Sequence, residues 1–106
     1  MLHMQARKFL ERARGILQQA FDLRLKGVIL YGSEVRGQAD PDSDIDLLVL
    51  LEGPVNSHQD SWTCIRALYP LVLELERPIH ALPVDVVEYE AQEFPLYRAV
   101  KEEGIS

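Results

Sequence analysis

Cysteine is nearly absent from this sequence, since Cys64 is the only one among 106 residues. One cysteine can form no disulfide within the chain and no thiolate metal cluster, and its position in a helical pattern predicts a small buried apolar residue. Long apolar runs are absent too, because none approaches the roughly 20 residues that span a membrane. The charged stretch 1–15 lacks the apolar core of a signal peptide. We therefore expect a cytoplasmic protein with no membrane partner.

Basic residues are few: 11 lysines and arginines face 17 aspartates and glutamates, and the net charge is −6. Residues 27–106 contain five basic and fifteen acidic residues, and such a surface repels phosphate, which makes nucleic acid an improbable partner. Residues 1–26 are the exception, with six basic and two acidic residues. They indicate a solvated helix face, or a face toward an anionic ligand or partner. The length and the apolar share of 47% predict one folded domain, residues 1–106.

The hydrophobic pattern predicts a small α/β protein of the α+β kind, with helices packed on a mixed sheet. The second strand is apolar on both faces, which is typical of a covered sheet. Within the long second helix, Trp62 is expected in the core and Pro70 is expected to kink or divide the helix. The predicted elements are helix 4–22, strand 27–31, strand 45–53, helix 57–77, a loop at 77–83, strand 84–90 and helix 93–104.

Four aspartates lie within seven residues, directly before the second strand. The pair that matters is Asp44 and Asp46, because residues two apart leave the same face of a strand and their charges repel by roughly 3 kcal/mol. Asp85 begins the predicted third strand and joins them if the two strands are neighbours. Asp40 and Asp42, beside Pro41, fit a solvated turn. A few carboxylates that share a face with substrate phosphates suit Mg²⁺.

A calcium-binding EF-hand loop is excluded, although the alternating aspartates match its start. Such a loop needs glycine at its sixth position and glutamate at its twelfth, where this chain has Ile45 and Leu51.

Gly32 and Ser33 end the first strand at a sharp turn. Glycine lets the backbone approach a ligand, and the amides that follow, with the serine hydroxyl, can bind phosphate oxygens. Arg36, one turn on, has either of two roles: a forked donor to the same phosphates or a partner in a salt bridge to the acidic loop. Beside a carboxylate cluster, this turn predicts half of a nucleoside triphosphate site.

These residues resemble a known family. The letters GS, ten residues and then DID form the signature of the DNA polymerase β-type nucleotidyltransferases, and GSEVRG, SDIDLLV and PLYRAVKEEG resemble its minimal nucleotidyltransferase group. The resemblance implies that Asp44, Asp46 and Asp85 bind two Mg²⁺ or Mn²⁺ ions and that Asp85 assists deprotonation of the acceptor. It also implies that Gly32 and Ser33 hold the triphosphate, with ATP as the substrate.

The activity that the resemblance implies is transfer of a nucleoside monophosphate to a hydroxyl. In the minimal group the partner is a HEPN-domain ribonuclease toxin, and the enzyme is an antitoxin that modifies a tyrosine of the toxin with AMP. Two alternatives stay open. A homodimer would modify a small molecule such as an aminoglycoside, or the chain would neutralise its partner by contact alone and keep an idle site.

Overall fold

The computed structural model describes residues 2–37 and 43–106, and side chains from residue 5 onward. Asp40 and Asp42, predicted to lie in a solvated turn, fall outside the described residues. The described elements follow in the order α1 Leu2–Phe21, a 3₁₀ turn Asp22–Arg24, β1 Leu25–Tyr31, α2 Ser33–Arg36, β2 Ile45–Leu51, α3 Ser57–Leu75, β3 Ile79–Asp85, α4 Val86–Glu90 and α5 Pro95–Glu103.

Within the described residues the sheet has three strands in the order β1-β2-β3, with β2 in the centre. β1 pairs with β2 in antiparallel fashion, and β3 pairs with β2 in parallel fashion after the crossover through α3. Ile105, beyond α5, forms an isolated antiparallel bridge to Leu30 on the outer edge of β1. The mixed sheet and the helices packed against it confirm the fold class expected from the sequence.

Two apolar clusters cover the two faces of the sheet, because successive side chains of β2 point in opposite directions. Leu47, Val49 and Leu51 face α1 and α3, whereas Leu48 and Leu50 face the side of α4 and α5. All five are buried, as expected for a covered central strand. Cys64 is buried in the first cluster, which confirms the prediction of a small apolar core residue. Burial raises the pKa of its thiol to about 12.

The third strand is where the prediction from sequence is wrong. Residues 77–83 were expected in a loop and 84–90 in a strand, but β3 is Ile79–Asp85 and Val86–Glu90 is helical. Pro83 suggested a loop, yet β3 is an edge strand, where a missing backbone donor is tolerated. Asp85 ends the strand and caps α4, because its side chain accepts a hydrogen bond from the amide of Val87.

The orientation of α3 also differs from the prediction. Trp62, expected in the core, is 49% exposed, and the buried side of the helix consists of Asp60, Cys64, Leu68 and Leu71. The helix carries apolar residues around most of its circumference, so periodicity alone does not select the inward face. Pro70 does not divide α3, which is continuous from Ser57 to Leu75.

None of the described helices combines the length and the apolar character that a membrane crossing requires.

Candidate active site

The turn after β1 is built around Gly32, which has a φ of 84° and a ψ of −154°. Side chains disfavour this conformation, and space excludes them as well: a β-carbon placed on Gly32 would lie 2.5 Å from Oδ2 of Asp46. The amides of Val35 and Arg36 donate to the Gly32 carbonyl and close a single helical turn that begins at Ser33. The amides that precede these bonds have no partner within the turn, which is the arrangement that binds phosphate oxygens.

The carboxylate of Asp46 lies at the end of the sheet where this turn emerges. Asp46 is the second residue of β2 and pairs with Tyr31, the last residue of β1, and its side chain is 30% exposed. Asp44 is exposed and directly precedes β2. The predicted proximity of the Gly32 turn to Asp46 is therefore present, and Asp44 lies two residues before Asp46 in the chain. Burial raises the pKa of the Tyr31 hydroxyl, and the negative charge of Asp46 adds to the rise.

Asp85 does not join this group. The parallel register pairs Asp85 with Leu51, five residues beyond Asp46, or about 16 Å along the strand. Its carboxylate accepts from the Val87 amide at 2.8 Å and packs against Gly53, where an added β-carbon would collide with it. The expectation that Asp85 begins the third strand beside Asp46 is wrong for this structure, because β3 starts five residues earlier than the sequence pattern predicts and Asp85 ends it.

His80 occupies the position across from Asp46 that was expected for Asp85. The two residues pair in the β2–β3 register, and His80 Nδ1 lies 3.5 Å from Asp46 Oδ1. The histidine side chain is 62% exposed, so both groups are accessible to a ligand from the solvent. Sequence reasoning missed His80 because the chain was expected to form a loop at that point. In residues 79–83 only His80 interrupts the apolar residues, so the stretch shows no alternation that would reveal the strand.

Arg36 is exposed at the end of α2, and its Nη1 lies 3.8 Å from Oε2 of Glu103 at the end of α5. A surface pair at this distance is weak, so an incoming anion can compete for the guanidinium. The predicted role as a phosphate donor stays a prediction.

The side chains present fit a hard divalent cation. Among the residues that the structure describes, no three potential ligands of the His, Cys, Asp or Glu type converge on one point. Two carboxylates two residues apart, next to a phosphate-binding turn, nevertheless form the donor set that Mg²⁺ uses, with substrate oxygens and water as the remaining ligands. Asp44 and Asp46 are the residues that would hold it, and the ion would supply charge neutralisation to the phosphates.

Comparison with protein families identifies the family of the chain. A comparison with curated proteins found no similar sequence. The family model described as nucleotidyltransferase domain matches residues 10–106, which includes the turn, both aspartates and all three strands. A match over nearly the whole chain, together with the turn and carboxylates at one end of the sheet, establishes that the chain belongs to the nucleotidyltransferase domain family of the DNA polymerase β type.

Proposed function

We propose that this nucleotidyltransferase transfers AMP from ATP to a hydroxyl group of another protein. The observation that carries the proposal is the contact between the Gly32 turn and the Asp46 carboxylate. A phosphate-binding turn and a metal-binding carboxylate that touch can bind the same triphosphate from both sides. Nucleotidyl transfer requires these two groups to lie close together. That requirement accounts for the glycine at position 32, where any side chain would collide with the Asp46 carboxylate.

In the proposed reaction, the acceptor oxygen forms a bond to the α-phosphorus. The bond from that phosphorus to the oxygen bridging the β-phosphate breaks, and pyrophosphate leaves with the electron pair. The acceptor proton passes to water or to a base. Ser33 and the amides of the turn bind the phosphate oxygens, while Asp44 and Asp46 would hold the cations, which would neutralise charge on the phosphates. Mg²⁺ is the proposed cation, with Mn²⁺ as a substitute.

The acceptor is proposed to be a tyrosine of a HEPN-domain toxin, with this chain as its antitoxin. Support comes from an apolar stripe on the outer face of α3, formed by Trp62, Ile65, Tyr69 and Leu73, which are each between 49% and 59% exposed. Contiguous exposed apolar side chains of this kind mark protein-binding surfaces. The C-terminal end of α3 leads into Arg77, which contacts Ser43 beside Asp44. A protein docked along the stripe would therefore reach the site.

The test is incubation of the purified chain with ATP, Mg²⁺ and the protein encoded beside it, followed by intact-mass measurement. We expect the partner to gain the mass of one or more AMP groups, and Asp44→Asn with Asp46→Asn to abolish the gain. Asp22→Asn is the control for an aspartate-to-asparagine change away from the site, because Asp22 is an exposed aspartate next to α1. A stable complex with no added mass under any metal would instead support neutralisation by contact.

A further inference from the structure

The guanidinium of Arg77 connects the two segments that form the candidate site. Arg77 follows α3, and its Nη2 donates to Glu34 Oε1 at 2.7 Å. Its Nε and Nη2 donate to the backbone carbonyl of Ser43 at 3.1 and 3.0 Å, and Nη2 also lies 3.2 Å from Ser43 Oγ. These contacts are shielded from water, since the Arg77 side chain is 18% exposed and that of Glu34 14%.

Both partners of Arg77 are next to proposed ligand-binding residues. Glu34 follows Ser33 in the phosphate-binding turn, and Ser43 precedes Asp44. One guanidinium thus binds the turn on one side and the carboxylate segment on the other. Because the guanidinium is planar and its donors have a fixed geometry, it sets the separation of its two partners more tightly than a flexible ammonium group does.

Hydrogen bonds, more than packing, hold this arrangement. A cavity of about 390 Å³ borders Arg77 and Glu34, and its other walls are Leu30, Ile45, Leu75 and residues of α1. Side chains that line an open space have fewer neighbours to fix their positions. Loss of the guanidinium would therefore remove the hydrogen bonds that join Glu34 to Ser43.

We propose that Arg77 is a positioning residue for nucleotidyl transfer, which fixes the distance between the Gly32–Ser33 turn and the Asp44–Asp46 carboxylates. The inference rests on the proposed function, because it assigns to Arg77 the alignment of the triphosphate with the cation-binding side chains. Glu34 is the residue of the turn that accepts the hydrogen bond from Arg77. Neither residue contacts the reacting atoms in this proposal.

The experiment compares Arg77→Met, Arg77→Lys and Glu34→Gln with wild type. The matched control is Arg12→Met, because Arg12 also forms a two-point pair with a carboxylate, that of Glu74, between α1 and α3. The measurements are the Kd of Mg·ATP by calorimetry, kcat and KM for AMP transfer, and the melting temperature. Binding of Mg·ATP to the wild type is measured first, because it needs no acceptor.

We expect Arg77→Met to lower kcat between tenfold and a hundredfold, since small misplacements of reacting groups have effects of this size. KM for ATP should rise less than threefold, because the turn and the carboxylates are each intact. Arg77→Lys should recover part of kcat. Adding Glu34→Gln to Arg77→Met should produce little further loss, because both changes break the same contact.

Two other outcomes are distinguishable. If the wild type binds Mg·ATP and Arg77→Met lowers the melting temperature but leaves kcat unchanged, as Arg12→Met does, Arg77 is only a structural residue and the inference is overturned. If the wild type binds no Mg·ATP at millimolar concentration, the proposed function is itself wrong, and the positioning role is overturned with it.

Discussion

Gly32 and Asp46 lie so close that the space for a β-carbon on the glycine is already taken, with Oδ2 of the aspartate 2.5 Å from that point. Gly32 directly follows β1 and Asp46 belongs to β2, 14 positions further along the chain, yet the two residues form one surface at the end of the sheet. The contact also explains why the turn has a φ of 84°, since that conformation brings the backbone itself against the carboxylate.

Replacement of Gly32 by alanine should therefore impair both folding and function. We expect the free energy of unfolding to fall by about 1–3 kcal/mol, from the positive φ and the collision with Asp46. The affinity for Mg·ATP should fall at least tenfold. Urea unfolding and calorimetry measure the two effects.

Gly15→Ala is the control for this substitution. Gly15 lies inside α1, and a β-carbon there meets nothing within 4 Å. Alanine should stabilise the helix by about 0.5–1 kcal/mol and leave Mg·ATP binding unchanged. Equal effects of both alanine substitutions on nucleotide affinity would contradict the assignment of Gly32 to the site.

The register of β2 and β3 gives a second prediction, because it separates the roles of His80 and Asp85. His80→Gln should change the Kd for ATP in the presence of the metal severalfold, since His80 Nδ1 lies 3.5 Å from Asp46 Oδ1. Asp85→Asn should change it less than twofold, because the asparagine still accepts the Val87 amide and lies about 16 Å from Asp46. Calorimetry with Mn²⁺ and ATP measures both variants.

The opposite result would be equally informative. A hundredfold loss on Asp85→Asn, with His80→Gln unaffected, would mean that Asp85 pairs beside Asp46 in the active form, as the family resemblance implies. β3 would then have to shift by five residues relative to β2. A hydrogen-exchange comparison of β3 with and without Mg·ATP would detect that shift.

The sequence is sufficient to predict those parts of the molecule whose structure is determined by residues that are neighbours in the chain. The continuous apolar run of β2 and the Gly32–Ser33 turn are each specified within a few residues, and the structure contains both. The position of β3 depends instead on its pairing with β2, and Pro78 and Pro83 obscured it because the edge position that tolerates proline is a tertiary property. The β propensity of valine likewise predicts a strand at Val86 and Val87, although Asp85 caps a helix there.

The contacts between distant parts of the chain could not be predicted. Glu34 and Arg77 are 43 positions apart, and no pattern in either neighbourhood indicates that they pair. The inward face of α3 could not be predicted either, because it depends on which side of the helix packs against α1 and the sheet. In the structure the buried Asp60 lies on the inner face, where it pairs with Arg24, the residue before β1.

The pair formed by Arg24 and Asp60 gives a third prediction, on stability and pH. Nη1 and Nη2 of Arg24 each donate to the Asp60 carboxylate at 3.0 Å, and the backbone amide of Asn56 donates to it at the same distance. Hydrogen bonds from Arg24, with the help of Asn56, hold the pKa of Asp60 below the ordinary aspartate value of 3.8, against the opposing effect of burial. Asp60→Asn should lower the free energy of unfolding at pH 7 by about 2 kcal/mol.

The sign of the pH dependence follows from the lowered pKa. The stabilisation by the charged carboxylate is fully present above the unfolded pKa and is lost as the pH falls through the lower folded pKa. The difference between wild type and Asp60→Asn should therefore be constant from pH 7 to about 5 and shrink below 3.8. Glu74→Gln, in the exposed pair with Arg12, should change stability much less than Asp60→Asn, because solvent screens that pair. A difference that grows toward acid pH would contradict this account.

The apolar stripe on α3 gives the last prediction, on the proposed partner. Leu73→Glu places a charge in the stripe, and Leu23→Glu places the same charge on a leucine in the 3₁₀ turn that is 82% exposed. We expect Leu73→Glu to weaken partner binding at least tenfold and to leave the Kd of Mg·ATP unchanged, whereas Leu23→Glu should affect neither. Biolayer interferometry and calorimetry measure the two affinities.

Sedimentation distinguishes a partner-binding stripe from a self-association surface. A wild-type dimer that Leu73→Glu converts to a monomer would assign the stripe to self-association and favour a small-molecule acceptor. Partner binding unchanged by Leu73→Glu would exclude the stripe as the docking surface.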